Sequence, residues 1–138
     1  MEPAQLADLL MRAARRIRHG QSDALAPLGL NPSQARALRV VLRAEAPLRM
    51  SDLAARLGIV PRSATTIVDA LEAAELLTRV PDPANRRSTL LRPTPRALEV
   101  GEALRAARRE AAEALFTRLD EGQRAELGEL LTLLAEES

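Results

Sequence analysis

The feature that most constrains this chain is a change of hydrophobic period inside Ser51–Thr94, SDLAARLGIVPRSATTIVDALEAAELLTRVPDPANRRSTLLRPT. Leu53, Ala54 and Leu57, then Ile67, Val68 and Leu71, recur at helical spacing, with Leu57-Gly58-Ile59 between the two groups. Glycine accepts a left-handed backbone at little cost, so one helix can stop there and another start a few residues on. Beyond them the pattern is that of two short strands, Leu76–Val80 and Ser88–Arg92, joined through Pro81-Asp82-Pro83, which turns the chain. The tip of that ribbon carries Asn85, Arg86 and Arg87. Two short helices around a tight turn, followed by a basic hairpin, predict a winged helix-turn-helix.

The flanking segments read as helices. Leu6, Leu9, Leu10, Ala13 and Ile17 predict a first helix over Ala4–His19, stopped by Gly20 and followed by a linker from Gln21 to Leu30. Asn31-Pro32 pairs a cap with a proline at the first helical position, so a second helix runs to about Ala44 and ends before Pro47. Its inward residues are Leu38, Val41 and Leu42. Ser51 is expected to cap the third helix and Pro61 to open the fourth. Thr94-Pro95 starts a fifth helix that extends to about Leu119, roughly 37 Å and longer than a small domain needs. Asp120 and Gln123 have capping-box spacing, and the last helix carries Leu127, Leu130, Leu131 and Leu134. The two chain ends hold more apolar stripe than one small core buries, which predicts a homodimer formed through them. The expected architecture is one domain over 1–138, mainly α with a small β-wing. The winged helix-turn-helix lobe is at 31–97, flanked by N- and C-terminal dimerisation helices at 1–30 and 98–138.

Composition narrows the function. The chain has no cysteine and one histidine, which leaves no disulfide, no thiolate chemistry and no His-rich metal site in a single copy. It offers no nucleophile–base–acid set and no glycine-rich phosphate loop, so neither an enzyme nor a bound cofactor is expected. No apolar run is long enough for a bilayer, and the first ten residues carry acids with no basic stretch before an apolar one. A cytoplasmic protein with no membrane contact is the expectation. All 20 basic residues are arginine. Between Arg49 and Arg96 eight arginines (49, 56, 62, 79, 86, 87, 92 and 96) face five acids (52, 69, 72, 75 and 82). From Glu110 onward eight acids face only Arg118 and Arg124. A basic middle beside an acidic tail implies a polyanionic partner for the middle.

These residues resemble the MarR-type winged-helix transcriptional regulators. Leu53-Ala54-Ala55-Arg56-Leu57-Gly58-Ile59 looks like that family's turn into its recognition helix, and Pro61-Arg62-Ser63-Ala64-Thr65 like the start of that helix. Val68-Asp69-Ala70-Leu71-Glu72 looks like its end, and Asp82-Pro83-Ala84-Asn85-Arg86-Arg87 like the wing motif Asp-Pro-x-Asp-Arg-Arg. Asn85 stands where the family usually has Asp, and Glu75 where it usually has Gly. Pro93 and Ala97 replace the usual Leu and Gly, and Thr66 and Ala70 replace residues that are often basic.

The expected partner is double-stranded DNA, read as a pseudo-palindrome by a homodimer. In the recognition helix Arg62 can fork onto guanine, while Ser63, Thr65 and Thr66 meet bases or phosphates. In the wing, Arg86 or Arg87 enters the minor groove beside Asn85, and the resemblance favours Arg87. Ser51, Arg79 and Arg92 are candidate phosphate contacts. The resemblance further implies a small phenolic or anionic effector that releases DNA, for which Arg15, Arg16 and His19 are the candidate ligands. The alternative is a winged-helix module for protein–protein contact that binds DNA weakly or without sequence preference.

Overall fold

A computed structural model describes residues 1–136; Glu137 and Ser138, the end of the acidic tail and of the expected segment 98–138, lie outside the described residues. The elements in chain order are helix α1 (Pro3–Leu25), helix α2 (Pro32–Arg43), strand β1 (Leu48–Arg49), helix α3 (Met50–Leu57) and helix α4 (Pro61–Ala73). Strands β2 (Leu77–Asp82) and β3 (Asn85–Pro93) follow, then helices α5 (Pro95–Phe116) and α6 (Glu121–Ala135). The protein is mostly helical with one small antiparallel sheet, as the sequence implies.

The chain divides into two compact units. Residues 22–106 form one, and the described residues of 1–21 and from 107 onward form the other. The unit holding the winged helix is thus wider than the 31–97 read from sequence. The reason is in its core, which takes Leu25 and Leu30 before that segment and Val100 and Leu104 after it. Around Leu38, Leu53, Leu71, Leu76, Leu77 and Leu91, all at most 2% exposed, the core is aliphatic throughout. The sheet order is β1-β3-β2, with Leu48 opposite Leu91 and Leu77 opposite Pro93.

Several boundaries differ from expectation. Gly20 does not stop α1, which runs on to Leu25 before a single 3₁₀ turn at Ala26–Leu28, so the expected linker is largely helical. Gly20 serves close packing instead, since a Cβ there would lie 2.9 Å from the Ala111 Cβ. Ser51 does not cap α3. Arg49 leaves β1 in extended conformation directly into the helix, and the Asp52 carboxylate accepts the Arg49 N–H at 3.1 Å. The two-residue strand β1 carries no periodicity of its own and was not expected; pairing with β3 creates it. Strands β2 and β3 are longer than expected and include Pro81, Asp82 and Asn85, which leaves Pro83-Ala84 as the turn. Helix α5 ends at Phe116 rather than near Leu119.

The capping expectations hold at three sites. Asn31 accepts the Gln34 N–H at 2.8 Å, Asp120 accepts the Gln123 N–H at 2.8 Å, and Thr94 Oγ1 accepts the Ala97 N–H at 3.1 Å.

Candidate nucleic-acid interface

The helix-turn-helix is set by two similar helix ends. At the end of α3, Gly58 sits at φ 67°, its N–H donates to Ala55 O at 3.2 Å and the Ile59 N–H donates to Ala54 O at 3.1 Å. This paired pattern satisfies carbonyls that a helix end leaves open. Arg36 of α2 adds a hydrogen bond from Nη1 to Leu57 O at 3.1 Å, tying α2 to the turn. At the end of α4 the same pattern recurs with Glu75 at φ 62°: its N–H donates to Glu72 O and the Leu76 N–H to Leu71 O, both at 2.9 Å. Glu75 is the one non-glycine residue with positive φ among those described. Thr94, just past the end of β3, holds it by donating from Oγ1 to Glu75 O at 2.7 Å.

Helix α4 turns Ala64, Val68 and Leu71 into the core and leaves Arg62, Ser63, Thr65 and Thr66 exposed. The hydroxyls of Thr65 and Thr66 donate back to Pro61 O at 3.1 Å and Arg62 O at 3.3 Å. Their donor is thereby used, while each oxygen keeps lone pairs that can still accept. Val60, extended at the N-cap and 64% exposed, makes no side-chain cap.

The wing is organised by Asp82, the one buried charged residue among those described. Its Oδ1 accepts the Ala84 N–H at 2.9 Å, and its Oδ2 accepts from Arg49 Nε at 2.9 Å and from Ser88 Oγ at 3.0 Å. The Ala84 N–H contributes most to holding this carboxyl below the usual Asp range, with Ser88 and Arg49 adding to it against the opposing effect of burial. Asn85 Oδ1 accepts the backbone N–H of Arg87 at 3.0 Å, so it shapes the tip through the main chain. Arg86 and Arg87 are exposed, and their side chains make no ion pair among the described residues. Arg92 and Ser51 are exposed as well.

Arg79 is placed differently. Its guanidinium donates from Nη2 to Asp69 Oδ1 at 2.7 Å and from Nη1 to Glu72 Oε1 at 2.8 Å, both acids on α4. The Asp69 hydrogen bond does most to keep it firmly protonated, outweighing partial burial, with Glu72 acting in the same direction.

Residues 28–88 match the model of the MarR family. The segment from α2 to β3 is thus similar to the MarR family. Members of the MarR family are transcription regulators, not enzymes. Among solved structures, RV1404 from Mycobacterium tuberculosis is similar over 100% of this chain and 95% of its own, at 26% identity and a TM-score of 0.87. The Mycobacterium tuberculosis MarR family protein Rv2887, solved in complex with DNA, is 26% identical over 95% of this chain and 98% of its own, with a TM-score of 0.76. The transcriptional regulator Tm0710 from Thermotoga maritima is 27% identical over 95% of this chain and 92% of its own, with a TM-score of 0.73. No curated protein matches the chain.

Sequence reasoning missed Arg49 and Asp82 as the anchor of the wing. Asp82-Pro83 did carry a signal, because an Asp side chain often accepts the N–H two residues on. Arg49 carried none, since its partner lies 33 positions away. In the other unit Arg15, Arg16 and His19 line a shallow surface hollow with Arg12, all from α1. No group of His, Asp and Glu suited to a metal occurs among the described residues, and no helix among them is long and apolar enough to cross a membrane.

Proposed function

We propose that this protein is a homodimeric, sequence-specific regulator that represses a neighbouring gene by binding a pseudo-palindromic site on double-stranded DNA. The observation that carries the reading is the outward face of α4. A helix that buries one stripe and presents Arg62, Ser63, Thr65 and Thr66 together is suited to the edges of bases in a major groove. The adjoining wing holds Arg86 and Arg87 in solvent on a tip fixed by Asp82 and Asn85, ready for a minor groove. The DNA complex of Rv2887 supports the same reading. Arg92 and Ser51 remain suited to phosphate, whereas the two carboxylates on Arg79 argue for a different role there.

Dimerisation is supported by the second unit. Among its described residues none is buried, and Leu6, Leu9, Leu10, Met11, Leu130, Leu133 and Leu134 are each 45% exposed or more. An apolar surface of that kind is covered by another copy of the same surface in a two-fold dimer. The hollow beside Arg15, Arg16 and His19 suits a small anionic effector, whose binding would release DNA. The cytoplasm is the compartment this function requires.

The test is fluorescence anisotropy on the duplex upstream of the chain's own coding sequence against a scrambled duplex, with wild type and Arg62→Ala. The wild type should prefer the upstream duplex, and the variant should lose that preference more than it loses affinity. Equal weakening on both duplexes would make Arg62 a phosphate contact, and no preference in the wild type would favour a protein-interaction role.

A further inference from the structure

Helix α4 is acidic on one flank. Asp69 and Glu72 are both exposed residues of the helix that, on the DNA-binding reading above, enters the major groove. A carboxylate near the phosphate backbone repels it, and Arg62 is the only cation on that helix. The structure answers this with Arg79, which reaches back from β2 across the end of α4 and takes both carboxylates at 2.7 and 2.8 Å. Its side chain is 25% exposed, while those of its partners are 62% and 44% exposed. The acids thus stay at the surface while their charge is met by a guanidinium whose donors already point at them. A fork of this kind fits two oxygens at once, which an ammonium would not do as well.

We infer that Arg79 is a positioning residue for DNA binding, which neutralises the acidic flank of the recognition helix and ties β2 to it, and does not contact a phosphate. The inference rests on the DNA-binding reading and reverses the role its place in the sequence suggests. A cation engaged by two acids has little left to offer DNA, and binding DNA through it would unmask both acids beside the backbone. Its contribution is therefore indirect, and charge removal on the acids should substitute for it.

Three variants separate these roles: Arg79→Ala, the double variant Asp69→Asn with Glu72→Gln, and the triple variant combining them. Affinity and its dependence on salt are measured on a mixed-sequence duplex three helical turns long, with far-ultraviolet circular dichroism as the folding control. Arg79→Ala should bind about three- to thirtyfold more weakly, the scale of two exposed charge interactions, with an unchanged salt slope. The triple variant should return to near wild-type affinity. The double variant, with its guanidinium released, should bind more tightly than wild type, and this arm stands even if Arg79→Ala fails to fold. A salt slope reduced by about one in Arg79→Ala with no rescue in the triple variant would make Arg79 a phosphate contact and overturn the inference. So would unchanged affinity in Arg79→Ala, or weaker binding by the double variant. A wild-type protein that binds no duplex at any salt concentration would instead overturn the DNA-binding reading itself, and the inference with it.

Discussion

Replacing Glu75 by glycine should stabilise this protein, although it deletes a charged residue at the end of the recognition helix. Glu75 holds φ at 62°, where an L-residue brings its Cβ close to the following carbonyl oxygen at a cost of about 1–2 kcal/mol. Glycine escapes that cost but leaves the unfolded chain freer by about 0.4–1 kcal/mol, so the net gain is about 0.5–1 kcal/mol. Little is lost with the side chain. It is 82% exposed, and its contact with Arg96 is long at 3.9 Å between two exposed groups, the kind of pair worth close to nothing. The backbone bonds that close the helix, and the Thr94 hydroxyl on Glu75 O, remain available to glycine. For a chain of this length the gain corresponds to a rise in Tm of about 2–4 °C. The assay is thermal unfolding followed by circular dichroism, at one fixed protein concentration because the proposed dimer would make Tm concentration-dependent. Glu75→Ala keeps the left-handed cost and should stay within about 1 °C of wild type, whereas Glu75→Asn should fall between the two. The reasoning fails if Glu75→Gly melts at or below wild type, or if Glu75→Ala gains as much.

Other consequences can be checked alongside it. Arg87→Ala should weaken binding to every duplex and lower the salt slope by about one, and an unchanged affinity across salt would remove Arg87 from the groove. The Asp82 carboxyl is held below its usual range, so the wing anchoring it provides is fully present above the ordinary Asp pKa near ~3.9 and is lost as pH falls through the lowered value. Hydrogen exchange at Ala84 should report that loss on the acid side, and Asp82→Asn should abolish the dependence; protection that ignores pH in the wild type would contradict it. Arg62→Ala should relax base preference at one position per half-site, by a discrimination of about 1–3 kcal/mol.

Much of the fold was legible because it depends on short-range signals. Asn31-Pro32, Thr94-Pro95 and Asp120 with Gln123 each place a cap within three residues of its partner, and all three caps form. Gly58 likewise marks its turn by backbone freedom alone. What was misread depends on partners distant in sequence. Gly20 carries the local signature of a helix stop, yet its place is set by Ala111 packing against it. Strand β1 exists only through β3, and pairing also moves the start of α3 ahead of Ser51. The candidate DNA-facing residues of α4 were legible because helical period separates Arg62 and Ser63 from Ala64 and Val68. The partners of Arg79 were not, because charge counts along the chain do not say which arginine meets which acid. Arg49 and Asp82 illustrate the same limit across 33 positions.

The central claim is that α4 and the wing of a paired molecule read DNA sequence. The most direct measurement is selection from a random-sequence duplex pool by the full chain, followed by sequencing of the bound fraction. The account predicts an enriched motif with two-fold symmetry, its half-sites about one helical turn apart and a guanine at the position assigned to Arg62. A bound fraction with the composition of the starting pool would contradict it.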